Sequence, residues 1–154
     1  MLAAWLGAAL FFGAVVAPAA FGVLRSFGLT NASEIAGSIV TRTLGVINVA
    51  GFLIALLLLV TAFLRRSAQT RLSLIIECAC LGLIALTTAL GHWWIAARMR
   101  ALRAAMELPI DQSAAGDARR IEFNALHGYS VKALGIAMIA GLVALVVMGR
   151  NPRH

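Results

Sequence analysis

Charge is scarce in this sequence. Only 12% of its 154 residues are charged, and Asp and Glu together number 6. Soluble domains carry roughly 25% charged residues, so too few are present to clothe a water-facing surface. Cysteine is scarcer still, at 2. Cys78 and Cys80 fall inside one apolar run, and two positions apart on a helix they point away from each other. That excludes a disulfide between them and a disulfide framework for the chain. A Cys-x-Cys copper(I) site is the functional alternative to small apolar filler, and filler is the reading taken. No nucleophile–base pair and no metal-ligand spacing stands out, so the chain reads as non-enzymatic, with no metal and no resident cofactor. Its net charge of +7 raises nucleic acid as a partner. The basic residues, however, cluster at the ends of apolar runs and form no patch with interleaved aromatics, which excludes that class.

What is present is apolar length. Hydrophobic residues make up 62% of the chain and mean hydropathy is +0.94. Four runs are long enough to cross a hydrocarbon layer of roughly 30 Å as helices. The fold class read from them is an all-α integral membrane four-helix bundle with interfacial helical extensions. It forms a single transmembrane domain over 1–154, with spans at about 2–24, 44–64, 72–97 and 125–149. The first run lacks a positively charged leader and is too long for a signal peptide. On it Ala3, Gly7, Ala14, Pro18 and Phe21 share a face, predicted to turn inward because small residues let helices approach. Pro18 predicts a bend near its far end.

Asn31 to Glu34 has the spacing of a capping box, Asn31 taking a backbone N–H and Glu34 reaching back. The helix begun there runs on to Leu64, about 50 Å at 1.5 Å per residue, with Gly37 as the place to bend. Thr41, Gly45, Asn48, Gly51 and Ala55 make its inward stripe. Asn48 is expensive in lipid unless it bonds another helix, and Arg42 lies at the interface, where it can snorkel.

The third span carries Ser73, Glu77, Cys80, Ile84, Thr88 and Gly91 on one face. Glu77 is the most deeply placed acid. It is either a functional group or a carboxyl paired with Arg65, Arg66 or Arg71, and the paired or neutral reading is the one adopted. His92, Trp93 and Trp94 form an aromatic belt. Beyond them Met99, Leu102 and Met106 lie on one side of a basic segment with the look of an interfacial amphipathic helix.

The polar, aromatic stretch from Glu122 to Lys132 leads the last run into the membrane. His127, Ser130, Leu134, Met138, Gly141 and Leu145 fall on one narrow face, predicted to look inward. We expect His127 and Ser130 to join Asn48, with Arg42 near by, in a polar cluster. That cluster would clamp the fourth helix to the second or bind a small polar or anionic ligand. Asp117 is placed to cap the last helix, and Lys132 to snorkel outside the cluster.

Four crossings return the termini to one side, together with Arg65, Arg66, Arg71, Arg150 and Arg153. Arg25, Arg42, Arg98, Arg100, Arg103, Arg119 and Arg120 mark the other side. The density of charge in the short connection favours cytoplasmic termini and a bacterial inner membrane.

The pieces Ala4 to Gly7, Phe11-Phe12, Val16-Ala17-Pro18, Phe21 and Leu24 resemble the opening helix of an uncharacterised bacterial membrane family related to eukaryotic transmembrane protein 205. Phe123, Leu126, His127 and Ser130 resemble its final-helix signature, and Met99 to Arg103 its basic segment. The resemblance implies a four-helix membrane domain and no reaction.

Three functions compete. A scaffold or subunit packing with a membrane partner, or with copies of itself, draws on the small-residue stripes. A small transporter or ion- or metal-handling protein would use Asn48, Glu77, His127 and Ser130, although Glu77 and Asn48 fall toward opposite faces. A haem-binding protein would use His92 and His127, which lie near one face on adjacent spans as axial ligands would need. The first is the reading adopted.

Overall fold

A backbone in hydrocarbon must satisfy its own N–H and C=O groups, so each apolar run folds as a helix. The helices are α1 (Leu2–Ser26), α2 (Ala32–Leu64), α3 (Arg71–Ala104) and α4 (Ala118–Arg150), each long and apolar enough to cross a membrane. This computed structural model describes residues 1–66, 70–106, 108–110 and 112–150, and Arg153 lies outside the described residues. No strand occurs among the described residues. The chain is an all-α four-helix bundle. α3 packs on α2 and α4, and α1 packs on the same two from the other side, so α2 and α4 lie diagonally opposite.

That geometry removes the expected clamp between the second and fourth helices. Their stripes both turn inward, but toward α1 and α3. On α2 the inward residues Asn48, Gly51 and Ala55 are buried, and on α3 Glu77, Ile84, Thr88 and Gly91 are buried. On α4 Ser130 and Gly141 are buried beside Ala137, Ala140 and Ala144, while Leu134, Met138 and Leu145 pack against the same core.

α1 departs from expectation. Its buried residues are Leu2, Trp5, Leu6, Ala9 and Phe12, whereas Ala3, Gly7, Ala14 and Pro18 face outward. The reason is where the close approach is made. Trp5 is 4% exposed, and its ring lies where a Cβ on Gly51 would stand, 2.7 Å away, and 3.4 Å from one on Gly141. The small residues that matter are therefore on α2 and α4, receiving an indole, and α1 supplies bulk. Trp5 Nε1 also donates to the Ile47 carbonyl oxygen at 2.9 Å, which satisfies the only polar atom on that side chain.

Pro18 lacks an N–H and crowds the carbonyl four residues back. α1 answers with a π-helical turn at Phe12–Val16, just ahead of the proline. A second such turn, Leu90–Ile95, carries His92, Trp93 and Trp94 in α3. α1 stops at Gly28, whose φ of +65° is a left-handed conformation that favours glycine.

Asn31 does occupy the cap position of α2, but its side chain accepts no capping bond. With φ −115° and ψ 21° its backbone is not in the extended conformation that aims a cap side chain at the first turn. The Asn31 carbonyl instead takes the Glu34 and Ile35 N–H groups, each at 3.1 Å. α2 then continues unbroken through Gly37. Asp117 caps α4 as expected, accepting from the Arg119 N–H at 2.8 Å.

Met99 and Leu102 do not lie on lipid. They are buried with Ile95, Phe123 and Leu126 in a second apolar cluster that joins the end of α3 to the start of α4. Large hydrophobics such as Val46, Leu53, Ile75, Leu86, Ile139 and Leu142 remain exposed around the bundle, the surface that lipid covers.

Candidate functional site

Functional side chains gather at the end of the bundle where α1 runs into α2 and α3 into α4. The local architecture is set by pairing. Arg98 on α3 grips Glu122 on α4 through two bonds, Nε to Oε1 at 2.7 Å and Nη2 to Oε2 at 3.0 Å. Arg119 donates to the Ala105 carbonyl and Arg120 to that of Ser113, holding the α3–α4 connection against α4. Gln112 Nε2 reaches the Thr30 carbonyl at 3.2 Å, tying that connection to the α1–α2 turn.

Inside this frame sits a vestibule of about 190 Å³ to which all four helices contribute. Arg25 comes from α1, Glu34 and Thr41 from α2, Arg103 from α3, and Asn124 and His127 from α4. Arg103 forms part of its wall. Its guanidinium lies over the Phe123 ring, 5.2 Å from the centroid, and fills the notch that Gly37 leaves, Nη2 standing 2.8 Å from where a Cβ would be. Its Nε is buried and has no hydrogen-bond acceptor. Gly37 serves to admit this cation.

A second, larger cavity of about 710 Å³ opens on the outside of the bundle along α2 and α3. Arg42, Arg100 and Arg103 line it with His92, and Val46, Val49, Ala50 and Leu53 continue it along α2. The His92 ring packs 3.6 Å from the Cβ position of Gly45 and edge-on to Trp93. Its Nδ1 is buried without a partner.

The residues expected in one polar cluster are thereby divided. His127 is exposed and lines the vestibule, so the inward placement given to it does not hold: α4 begins beyond the packed part of the bundle, where that face meets a cavity. Arg42 lines the outer groove. Ser130 is buried and lines neither cavity. Asn48 is buried against α3, with its Nδ2 3.1 Å from the Cβ position of Gly91. His92 and His127 line different cavities. Among the described residues no three His, Cys, Asp or Glu side chains gather as a metal ion would need.

Glu77 stands apart, near the other end of α3. It is fully buried, and Arg65 Nη2 lies 3.6 Å from Oε1. That is within ion-pair range but too long for a hydrogen bond, and neither carboxylate oxygen has a hydrogen-bond partner. Along α3 it is roughly 21 Å from Gly91 and hence from Asn48. Lys132 is exposed beside Tyr129, as expected of a snorkelling lysine. The Arg98–Glu122 pair and the notch at Gly37 had no signal in the sequence, since both depend on which helices meet and at what height.

The fold and these polar ends define an integral membrane protein that spans the bilayer four times. Residues 1–107 match the family described as domain of unknown function DUF4149, and the chain belongs to that family. The match takes in α1 to α3 and stops before α4. No curated protein and no solved structure matches the chain.

Proposed function

We propose that the chain is a non-enzymatic membrane protein, a subunit or scaffold that packs against a transmembrane helix of another protein or of a second copy. One observation carries this reading. α1 turns Ala3, Gly7, Ala14 and Pro18 outward, and a Cβ added at Gly7, Gly13 or Gly22 would meet nothing within 4 Å. Small residues on an outward face let another helix approach closely, and between membrane helices van der Waals fit supplies the attraction. A photo-reactive side chain placed at Gly7 or Ala14 in native membranes is expected to give an adduct of discrete mass, and one at Leu142 only lipid adducts. Indistinguishable results at the three positions would overturn the reading.

We place the protein in a bacterial inner membrane with cytoplasmic termini, supported by the short basic connection between α2 and α3. The kinship to transmembrane protein 205 rests on Val16-Ala17-Pro18 and on the Leu126, His127 and Ser130 spacing.

A second reading, ion or proton handling, draws on Glu77, a fully buried carboxyl with neither oxygen hydrogen-bonded. Purified protein in liposomes would then pass protons or a cation, and Glu77→Gln would abolish the flux. Equal flux in protein-free vesicles sinks this alternative.

A further inference from the structure

We propose that the groove between α2 and α3 holds an anionic phospholipid, its phosphate on Arg42, Arg100 and Arg103 and its acyl chain along Val46, Val49, Ala50 and Leu53.

Charge selection is the first support. The other basic side chains at this end are engaged: Arg98 with Glu122, Arg119 and Arg120 with backbone carbonyls, Arg25 near the Phe21 ring. Arg42 and Arg100 have no hydrogen bond or ion pair among the described residues, and both line the groove. Arg103 joins them with a buried Nε that lacks an acceptor. Among the described residues no acid lines this cavity. Glu34 belongs to the vestibule on the other side of Arg103. Two guanidinium groups unpaired among the described residues, with Arg103 beside them, suit a phosphate, whose oxygens accept their forked donors. They repel the amine of a zwitterionic headgroup.

Depth is the second. Arg42 stands roughly 33 Å along α2 from Leu64, one hydrocarbon thickness. It therefore marks one interface, while Leu53 lies roughly 16 Å deeper, near the midplane. The groove thus begins at headgroup level and continues as an apolar channel to the depth of an acyl chain. His92, beside Gly45, sits less than one turn below Arg42. At about 710 Å³ the cavity falls within the range of roughly 300–1,000 Å³ typical of small-molecule sites. A free phosphate would need only the basic rim, so the apolar continuation is what selects a lipid.

The test is native mass spectrometry of the full chain released from nanodiscs of phosphatidylglycerol and phosphatidylcholine mixed equally. Wild type is expected to retain phosphatidylglycerol. Each arginine contributes about a fivefold preference for anionic lipid, so Arg42→Gln with Arg100→Gln lowers retention roughly 25-fold. Arg66→Gln, outside the groove, leaves it unchanged. Val49→Trp fills the apolar half and is expected to reduce retention while the arginines stay in place. Because Arg42, Arg100 and Val49 are not in the buried core, circular dichroism melting curves should match wild type. Equal retention of the two lipids would overturn the proposal. So would glycerol phosphate or inorganic phosphate displacing the lipid from wild type and binding Val49→Trp undiminished, because the site would then recognise a free phosphate.

Discussion

The indole N–H of Trp5 on α1 donates to the main-chain carbonyl of Ile47 on α2 at 2.9 Å, and the same ring rests on Gly51 one turn further along. Ile47 O is an acceptor with a second lone pair beyond its own helix bond. This contact therefore adds a hydrogen bond in hydrocarbon without removing one. It also makes the seat of the ring testable. Gly51→Ala puts a methyl group within 2.8 Å of several ring atoms and is expected to destabilise by about 1–3 kcal/mol through overpacking. Trp5→Ala should lose roughly 3 kcal/mol by leaving a cavity. Detergent unfolding of the two single variants and the double checks this: the double variant should be more stable than the sum predicts, because the methyl group then has room.

Glu77 and Arg65 are unequal partners, one fully buried and the other half exposed. Arg65→Gln leaves a buried carboxylate with no counter-charge, whereas Glu77→Gln leaves an arginine that solvent can reach. Arg65→Gln should lower the unfolding midpoint more than Glu77→Gln, and the double variant should recover most of the loss. Equal midpoints for all three would mean the ion pair contributes nothing to stability.

Arg98 and Glu122 form the two-pronged link between α3 and α4. Both side chains are substantially exposed, so salt should screen the link. A double-mutant cycle with Arg98→Gln and Glu122→Gln is expected to show favourable coupling at low ionic strength that shrinks as salt is raised. Exchanging the two residues should restore coupling in the same assay.

Bulk added to α1 reads its two faces directly. In the purified chain Ala9→Leu, at a fully buried position, should lower the detergent-unfolding midpoint by overpacking, and Ala14→Leu, at an exposed one, should leave it near wild type. A loss at Ala14 with none at Ala9 would restore the small-residue face to the interior.

The apolar runs were legible because a backbone in lipid has few options, and helix length follows from bilayer thickness. The inward faces of α2, α3 and α4 were legible too. Asn48, Glu77 and Gly141 each sit on a stripe whose opposite side is uniformly aliphatic, so only one orientation satisfies the polar groups. α1 carries no polar residue in its first half to break that tie. Small residues occupy two of its faces, and only the partner positions Gly51 and Gly141 decide that Trp5 goes in. The division of the polar cluster was hidden for a related reason. Helical phase places His127 and Asn48 on inward stripes, but it does not say that α2 and α4 are diagonal. That Arg42 and Arg100 are unpaired among the described residues was equally out of reach, because all interfacial arginines look alike until Arg98, Arg119 and Arg120 find their acceptors.

The wide turn at Phe12–Val16 gives the N-terminal half of α1 an angular setting of its own. It loosens the one-to-one tie between residue number and heading that a regular helix enforces. Closed as ordinary α-helix with every residue kept, it would swing everything before it by roughly 100°. Trp5 would leave Gly51, and a different side of the first turns would meet the bundle. The turn thus absorbs one residue of phase, and its width rather than its residue count aims an indole seven residues away.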